Sequence, residues 1–443
     1  MGARGHRDLV DSETSCPVCG NLYDRGTPLL VINNHIDRCL QDTKQHEPQR
    51  ADTTPAPQTD FVEKNRWLRT RLNAVKVPWQ TDCAVLQFER ERLSEDSWMQ
   101  LAVLNSEGLR KEFQILFDGE IASDAGGVLK EWISKLNSEL LAQDFGLFRL
   151  TSTELVSYRF HPLLKASHLH MAQLYGLLLG KALLEGVPVH SPLCKPLFKA
   201  LLRASLGLED LIFLDIHLYK SLKFMLENDI TDLIFETFSV TEVSFEFQES
   251  QITDLVPSGR SIPVTETNKS KYVELRADWE LRKSAEAAIS SLLIGFYTVI
   301  PEELLRSFMP EELELAICGL SFIDVTDWEA NTEYRGDYHA RHKVILWFWQ
   351  ILQDLPQPQL VKLLQFVTGT TRLPVEGFRM LKTLRGDPAK FTIEAVPYTL
   401  QSVYPRAHTC FNRLDLPQFP SPSELQSRLL YVILNHSEGF GIE

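Results

Sequence analysis

A polar stretch at residues 41–60 divides the sequence into two parts of very unequal length. The stretch contains prolines and has no apolar residues at a helical or strand spacing, so it is predicted to be a flexible linker, which we place at residues 46–60. The part before it, residues 1–45, is too short to bury a stable core unaided. The part after it is long enough for more than one domain, and we expect about two to four domains in the whole chain.

Four potential metal ligands cluster in the short first part. They are a C-x-x-C pair and a histidine followed four residues later by a cysteine, namely Cys16, Cys19, His35 and Cys39. His35 and Cys39 would share one face of a helix, and the order and spacing are typical of a tetrahedral zinc site. Zinc is therefore the expected cofactor, and its binding would supply the missing stability, about 10–16 kcal/mol in small zinc modules. Chance spacing is the alternative.

The composition limits the partners and the compartment. The chain has 45 basic and 59 acidic residues, a net charge of −14, and no basic stripe, so a direct nucleic-acid partner is not expected. No run approaches the roughly 18 apolar residues of a membrane span, and residues 1–10 lack an apolar signal segment. Cysteines that bind metal belong to a reducing compartment. We therefore expect a soluble cytoplasmic protein, with the nucleus as a second location.

The apolar spacing from residue 61 onward predicts a mixture of helices and strands, and hence the α+β fold class. Helices are predicted at 61–72, after the glycine pair at 126–127, at 168–185 and within 214–229. The helix at 168–185 has an apolar stripe typical of an amphipathic helix and is predicted to end at Gly186. Strands are predicted at 87–92, 111–117, 232–235 and 244–247.

One cysteine near the end of the chain lies where a helix is not expected. Cys410 has Pro405 five residues before it and Pro417 seven residues after it, and these prolines favour a short irregular segment. A thiol on a loop can be reached by a reactant, whereas Cys318 lies in an apolar pattern typical of a packed cysteine. Cys410 is therefore a candidate nucleophile, and a surface thiol without a function is the alternative.

Cys410 lies within a longer motif, His-Thr-Cys-Phe-Asn-Arg-Leu-Asp-Leu-Pro, at residues 408–417. This segment resembles the catalytic-cysteine segment of HECT-type E3 ubiquitin ligases. The resemblance continues upstream at residues 364–374 and in the terminal Gly-Phe-Gly-Ile-Glu at 439–443. It extends over roughly residues 61–443, which is most of the chain.

The resemblance implies a two-lobed α+β domain. A mainly helical N-lobe with a small subdomain for the ubiquitin-conjugating enzyme (E2) would cover residues 61–318, and an α/β C-lobe would cover residues 322–443. Gly319, Leu320 and Ser321 would form the hinge between the lobes. Glycine suits a hinge because it tolerates large changes of backbone angle.

The resemblance also implies an activity. Cys410 would accept ubiquitin from an E2 as a thioester and transfer it to lysines of protein substrates. Thr409 would orient the thiol or the acyl carbonyl, and His408 is a candidate acid or base. Phe440 would help to lock the lobes for attack by the lysine, and Glu443 with its terminal carboxylate would orient or deprotonate the incoming amine.

The E2 would bind a hydrophobic groove in the N-lobe. Carried over by position, the resemblance assigns this groove to Leu218, Leu222, Ile234 and Tyr272. Each of these residues is explained equally well as ordinary core.

The first part of the chain resembles a ubiquitin-binding zinc finger (UBZ). The similarity is carried by Cys-Pro-Val-Cys-Gly and by the residues around His35, and the fold implied is a small ββα-like unit. DNA-binding fingers are a poorer match, because residues 1–40 lack the second histidine of the ligand set and a basic helix. The resemblance implies that Asp37 contacts ubiquitin, and a solvated acidic residue is the alternative.

Two other classes of protein remain as alternatives to a ligase. A ubiquitin-reading adaptor with an inactive HECT body would keep the fold without the transfer, but the intact Cys410, Phe440 and hinge argue against it. A cysteine hydrolase would require a histidine aimed at the thiol and an oxyanion hole.

Overall fold

The computed structural model describes residues 14–15, 22–23, 61–78, 82–119, 127–153, 157–244, 249–381, 389–399 and 402–435. The chain forms two compact units, Met1–Pro55 and Ala56–Glu443. In the first unit the described residues form an antiparallel strand pair, β1 (Thr14–Ser15) with β2 (Leu22–Tyr23). The predicted linker, the four predicted zinc ligands and Asp37 lie outside the described residues.

The first half of the second unit is mainly helical. Its helices are α1 (Phe61–Val75), α2 (Leu93–Leu101), α3 (Ser106–Arg110), α4 (Gly127–Leu141), α5 (Leu169–Glu185), α6 (Lys195–Leu201), α7 (Ile216–Glu227), α8 (Lys269–Leu281), α9 (Glu286–Val299) and α10 (Pro310–Cys318). Its strands pair two by two: β3 (Cys83–Phe88) with β4 (Glu112–Phe117) in parallel, and β5 (Phe148–Leu150) with β6 (Tyr158–Phe160) and β7 (Ser239–Ser244) with β8 (Glu249–Asp254) in antiparallel. We call this half the N-lobe.

Helix α5 is the centre of the N-lobe. It ends as predicted at Gly186, which adopts φ +73°. The predicted apolar stripe lies in the core, but the helix is buried on nearly all sides, so the prediction that it is amphipathic is wrong. Helix α9 crosses it closely: a Cβ atom on Gly176 would lie 2.1 Å from a carbonyl oxygen of α9, and one on Gly295 would lie 2.0 Å from a carbonyl oxygen of α5. Glycine at these positions lets the two helix backbones touch, and α5 is therefore enclosed.

Of the four strands predicted in the N-lobe, one is displaced, one is a turn and one is largely outside the described residues. The strand predicted at 87–92 lies at Cys83–Phe88, and the charged residues after it form a 3₁₀ turn at Arg90–Arg92, because only the earlier residues bury side chains against β4. Residues 232–235 are not a strand. Asp229 accepts hydrogen bonds from the amide and hydroxyl of Thr231, and Asp232 has φ +57°, so the chain turns there. Of the strand predicted at 244–247, only Ser244 is described, as the end of β7.

The second half of the unit, which we call the C-lobe, is an α/β structure. Its helices are α11 (Val325–Ala330), α12 (Lys343–Asp354), α13 (Gln357–Thr368) and α14 (Pro422–Asn435). Its sheet has the order β11-β12-β10-β9, with strands β9 (Thr332–Arg335), β10 (Phe391–Val396), β11 (Arg406–His408) and β12 (Arg413–Pro417). Strand β10 runs parallel to both neighbours, and β11 is antiparallel to β12.

The two lobes have separate hydrophobic cores. One cluster of buried apolar residues runs from Leu68 to Cys318, and the other runs from Ile323 to Ile433. This separation confirms the expected two-lobed α+β fold. Among the described residues, no helix has the length and apolar character needed to cross a membrane.

Candidate active site

Cys410 lies on a tight turn between two strands of the C-lobe. The turn, Thr409–Phe411, is one 3₁₀ turn that connects β11 to β12, and we call it the cysteine turn. Asn412 follows it in the left-handed region at φ 49°. Its buried side chain donates a hydrogen bond to the carbonyl of Ala389 at 2.9 Å, which fixes the end of the turn to the segment before β10.

The structure describes the backbone of Cys410, and its side chain is outside the described part. The neighbouring Phe411 is 63% exposed, so the turn lies at the surface of the C-lobe. Phe440 and Glu443 lie outside the described residues. The geometry of the site therefore rests on the turn and on the side chains around it.

His408 is held by an acidic residue of the adjacent strand. Its Nε2 lies 2.9 Å from Oδ2 of Asp415. Asp415 also lies 3.0 Å from Nε of Arg413, whose Nη1 is 3.1 Å from a carboxylate oxygen of Glu394. With Nε2 donating to the carboxylate, the lone pair of the imidazole is on Nδ1. The contact with Asp415 therefore fixes the imidazole of His408 two residues before the cysteine, and its role as an acid or base stays a prediction.

The cysteine turn also packs against the end of α13. Gly369 follows this helix with φ +73°, and a Cβ atom at this position would lie 3.9 Å from Cβ of Thr409. The same point is 3.6 Å from Cδ of Lys130, which belongs to α4 of the N-lobe. The N-lobe therefore reaches the immediate surroundings of Thr409.

Several hydrogen bonds join the two lobes. The ammonium of Lys130 donates to the carbonyl of Thr368 at 3.0 Å, and the amide of Asn65 donates to Glu376 at 3.2 Å. Arg372 is hydrogen-bonded to Nδ1 of His190. Burial, and then the charge of Arg372, lower the pKa of His190, so this imidazole is neutral at pH 7 and accepts the hydrogen bond.

The predicted hinge passes through the inter-lobe contact. Leu320 forms an antiparallel bridge with Leu373, and its amide donates to that residue's carbonyl at 2.8 Å. Gly319 has φ +65°, and a Cβ atom there would lie 2.2 Å from the same carbonyl oxygen. Only glycine fits this position in the observed arrangement. Ser321 lines a cleft of about 530 Å³ between the lobes.

The four residues predicted to line an E2 groove differ in how deeply they are buried. Leu222 and Tyr272 are 2% and 5% exposed and belong to the N-lobe core, whereas Leu218 and Ile234 are half-buried against that core. Their role in E2 binding stays a prediction.

Other apolar side chains in this region are exposed and were missed by the sequence reasoning. Phe235 is 87% exposed and Leu233 is 64% exposed, both on the turn after α7. Ile234 lies between them and lines a cavity of about 350 Å³ with residues of the 263–266 segment. The sequence signal was the Asn-Asp-Ile-Thr-Asp sequence directly before them, which favours a turn over a strand.

The fold and the site together define the class of protein. Two lobes with separate cores are joined through the segment predicted to be a hinge, and the second lobe carries a cysteine on a surface turn that directly follows a histidine held by Asp415. A cysteine on a surface turn suits the transfer of an acyl group through a thioester. A cysteine-dependent acyl transferase is the class that this arrangement fits.

The comparison with protein families agrees with this class. A family model described as HECT-domain (ubiquitin-transferase) matches residues 134–443, from within α4 to the end of the sequence, including the cysteine turn. The chain belongs to this family.

Curated relatives agree with the family assignment. The chain is 39% identical over 359 residues to an E3 ubiquitin-protein ligase TOM1-like of Neurospora crassa, covering 80% of this chain and 9% of the relative. It is 35% identical over 423 residues to E3 ubiquitin-protein ligase Smurf1 of Drosophila melanogaster, covering 94% and 39%. It is 37% identical over 402 residues to E3 ubiquitin-protein ligase HECW2 of Homo sapiens, covering 89% of this chain and 25% of the relative. The chain thus spans less than half the length of these relatives.

Proposed function

We propose that this chain is an E3 ubiquitin ligase that carries ubiquitin as a thioester on Cys410 and transfers it to lysines of protein substrates. The observation that carries the proposal is the position of Cys410 on the surface turn of a C-lobe that matches the HECT-domain family. The named relatives are E3 ubiquitin-protein ligases, which supports the same activity.

The proposed reaction consists of two acyl transfers. In the first, the thiolate of Cys410 attacks the thioester carbonyl of ubiquitin on the E2, a new S–C bond forms, and the E2 thiolate leaves. In the second, a lysine amine attacks the carbonyl, the S–C bond to Cys410 breaks, and the amine loses a proton as the amide forms. The first step exchanges one thioester for another, so positioning of the reactants is its main demand. A cysteine of ordinary pKa, about 8.5, is a few per cent ionised at neutral pH, which suffices for an activated acyl group.

In this proposal His408 accepts a proton during one of the transfers. Its contact with Asp415 supports the role, because a carboxylate that accepts from Nε2 fixes the ring and leaves Nδ1 as the acceptor. Thr409 orients the thiol or the acyl carbonyl from its position at the start of the cysteine turn. Phe440 locks the lobes, and Glu443 orients or deprotonates the attacking amine.

The first step requires an E2, and we propose that the E2 binds the small subdomain that includes α7 and the following turn. Exposed apolar side chains mark binding surfaces when they occur together. Phe235 and Leu233 meet this description, with Phe224 of α7 47% exposed on the preceding helix. Leu218 and Ile234 then contribute the partly buried wall of the groove, and Leu222 and Tyr272 support it from the core.

The N-terminal part is proposed to bind zinc through Cys16, Cys19, His35 and Cys39, and to bind ubiquitin through Asp37. The spacing of the four ligands supports a zinc site. The pairing of β1 with β2 supports it as well, because Cys16 and Cys19 lie in the chain between these strands, as a C-x-x-C knuckle would. The test is metal analysis of the full chain together with ubiquitin binding by Asp37→Ala, in which lost affinity with retained zinc is the expected result. Unchanged affinity would refute the assignment of Asp37.

The decisive experiment for the ligase is thioester formation. The full chain is mixed with an E2 charged with ubiquitin, and the product is separated with and without reductant. The expected result is a ubiquitin adduct that reductant removes and that Cys410→Ala abolishes. Cys83→Ala is the matched control, since Cys83 is an exposed cysteine of the N-lobe and its loss should leave the adduct unchanged.

The outcomes of this experiment separate the candidate functions. Absence of an adduct with several charged E2 enzymes would favour the inactive adaptor and refute the ligase. Release of free ubiquitin from chains without an E2 would indicate a hydrolase. Transfer of ubiquitin from the adduct to added lysine completes the proof of the second step.

A further inference from the structure

A buried lysine of the N-lobe contacts the C-lobe close to the cysteine turn. Lys130 lies in the first turns of α4 and is only 7% exposed. Its ammonium donates to the backbone carbonyl of Thr368 at 3.0 Å, a contact between residues 238 positions apart. A buried charge is costly unless it is well hydrogen-bonded. The location of Lys130 therefore indicates a specific role for this ammonium.

The partner of Lys130 is the last carbonyl of helix α13. The final carbonyls of a helix have no partner within the helix, and the negative end of the helix dipole favours a cation there. The hydroxyl of Thr368 donates its hydrogen bond to the carbonyl of Leu364 at 2.7 Å, so it does not donate to the carbonyl of Thr368 itself. The lysine ammonium thus serves as a helix cap that is supplied by the opposite lobe.

This helix end also supports the cysteine turn. The single point where Gly369 would carry a Cβ atom lies within 4 Å of both the Lys130 side chain and Thr409. A shift of the end of α13 therefore moves the support of the residue directly before Cys410. Lys130 thus contacts the end of α13 through its hydrogen bond to Thr368, and the end of α13 contacts the cysteine turn through the packing at Gly369.

We propose that Lys130 is a positioning residue that holds the cysteine turn against the N-lobe for transfer of ubiquitin from Cys410 to a lysine. This inference rests on the proposed ligase activity. Among the described residues, the inter-lobe hydrogen bonds outside the hinge come from Asn65, Lys130 and His190 of the N-lobe, none of which belongs to the subdomain proposed to bind the E2. In this proposal the observed arrangement is assigned to the second transfer, because the C-lobe is held by parts of the N-lobe outside that subdomain.

The test compares the two transfers separately in the full chain. Formation of the thioester from a charged E2 is measured in a single turnover, and discharge to added lysine is measured after the E2 is quenched. For Lys130→Met we expect discharge to slow on the order of tenfold, the loss expected for one charge-assisted hydrogen bond, and thioester formation to change by less than about twofold. Lys130→Arg keeps a cation of similar length and should restore most of the discharge rate.

Lys135→Met is the matched control, because Lys135 is on the same helix with a side chain that is 44% exposed and paired with Glu131 within the N-lobe. It should leave both transfers unchanged. The distance between the lobes gives an independent measurement, by energy transfer between dyes at the exposed positions Met99 and Leu346. Lys130→Met should lower the docked fraction, and Lys130→Arg should restore it.

Three results would overturn the inference. They are discharge by Lys130→Met at the wild-type rate, an equal loss in both transfers with an unchanged docked fraction, and a failure of Lys130→Arg to restore discharge although it is folded. Failure of the proposed function is distinguishable, because the wild-type chain would then form no thioester at all.

Discussion

A buried carboxylate of the N-lobe gives a prediction about stability and pH. Glu280 on α8 has a side chain that is only 6% exposed, and it is paired with Arg159 of β6 and with Arg276 at 2.6 Å. Burial alone would raise the pKa of this carboxyl. The charges of Arg159 and Arg276 outweigh burial and lower the pKa of Glu280 from 4.5 to about 2.

The size of the effect follows from this pKa. Each pH unit between the unfolded and folded values corresponds to about 1.4 kcal/mol, so ionised Glu280 contributes roughly 3 kcal/mol to the free energy of unfolding at neutral pH. Because the folded pKa is lowered, the contribution is fully present above about pH 4.5 and is lost as the pH falls toward 2. Near pH 3 about 1 kcal/mol should remain, since the unfolded carboxyl is then protonated while the folded one stays ionised.

The assay is urea unfolding of the wild-type chain and of Glu280→Gln at pH 7 and at pH 3. We expect the variant to lose roughly 3 kcal/mol at pH 7, because Arg159 is left buried beside a neutral amide, and much less at pH 3. Glu274→Gln is the matched control, on the same helix but with a side chain that is 68% exposed, and should change stability by less than about 1 kcal/mol. An equal loss for Glu280→Gln at both pH values would refute the reasoning.

Two further predictions concern the hinge and the E2 surface. Gly319→Ala should slow the overall transfer of ubiquitin and lower the docked fraction measured by energy transfer, because the new Cβ atom would lie 2.2 Å from a carbonyl oxygen. Gly119→Ala is the control, since Gly119 has a similarly positive φ of +81° but open space around it. Equal effects of the two substitutions would contradict the clash at Gly319. Phe235→Ala should raise the E2 concentration needed for half-maximal thioester formation about tenfold or more without changing the unfolding midpoint, as expected for a binding residue that is 87% exposed. Val103→Ala, at a site that is 81% exposed elsewhere in the N-lobe, is its control, and an unchanged requirement for E2 would exclude Phe235 from the interface.

Local sequence rules predicted the elements whose ends carry strong signals. Helix α1 begins at Phe61 as predicted, and α5 ends at the predicted glycine. The cysteine lies outside a helix of the α type, between the two prolines that indicated an irregular segment. Each of these features is determined by residues within a few positions of it, namely a proline, a glycine or a local apolar spacing.

Features that depend on distant contacts were not predictable in the same way. The burial of α5 on nearly all sides results from the close crossing of α9, which its apolar stripe alone does not reveal. The pairing of His408 with Asp415 depends on the register of β11 and β12, and the contact of Lys130 with Thr368 depends on how the lobes meet. The core position of Leu222 likewise follows from packing, since exposed and buried leucines on a short helix look alike in sequence.

The separation of the two cores determines how strongly the C-lobe is held. Neither apolar cluster crosses residues 319–322, and the inter-lobe hydrogen bonds of Asn65, Lys130 and His190 are polar contacts worth about 1 kcal/mol each. In the proposed catalytic cycle, contacts of this size leave a minor undocked population in equilibrium with the docked one. In the proposed catalytic cycle the three predicted hinge residues act as a tether, and the effective concentration of the Cys410 sulfur at the E2 or at the substrate lysine is set by the reach of this tether rather than by tight binding.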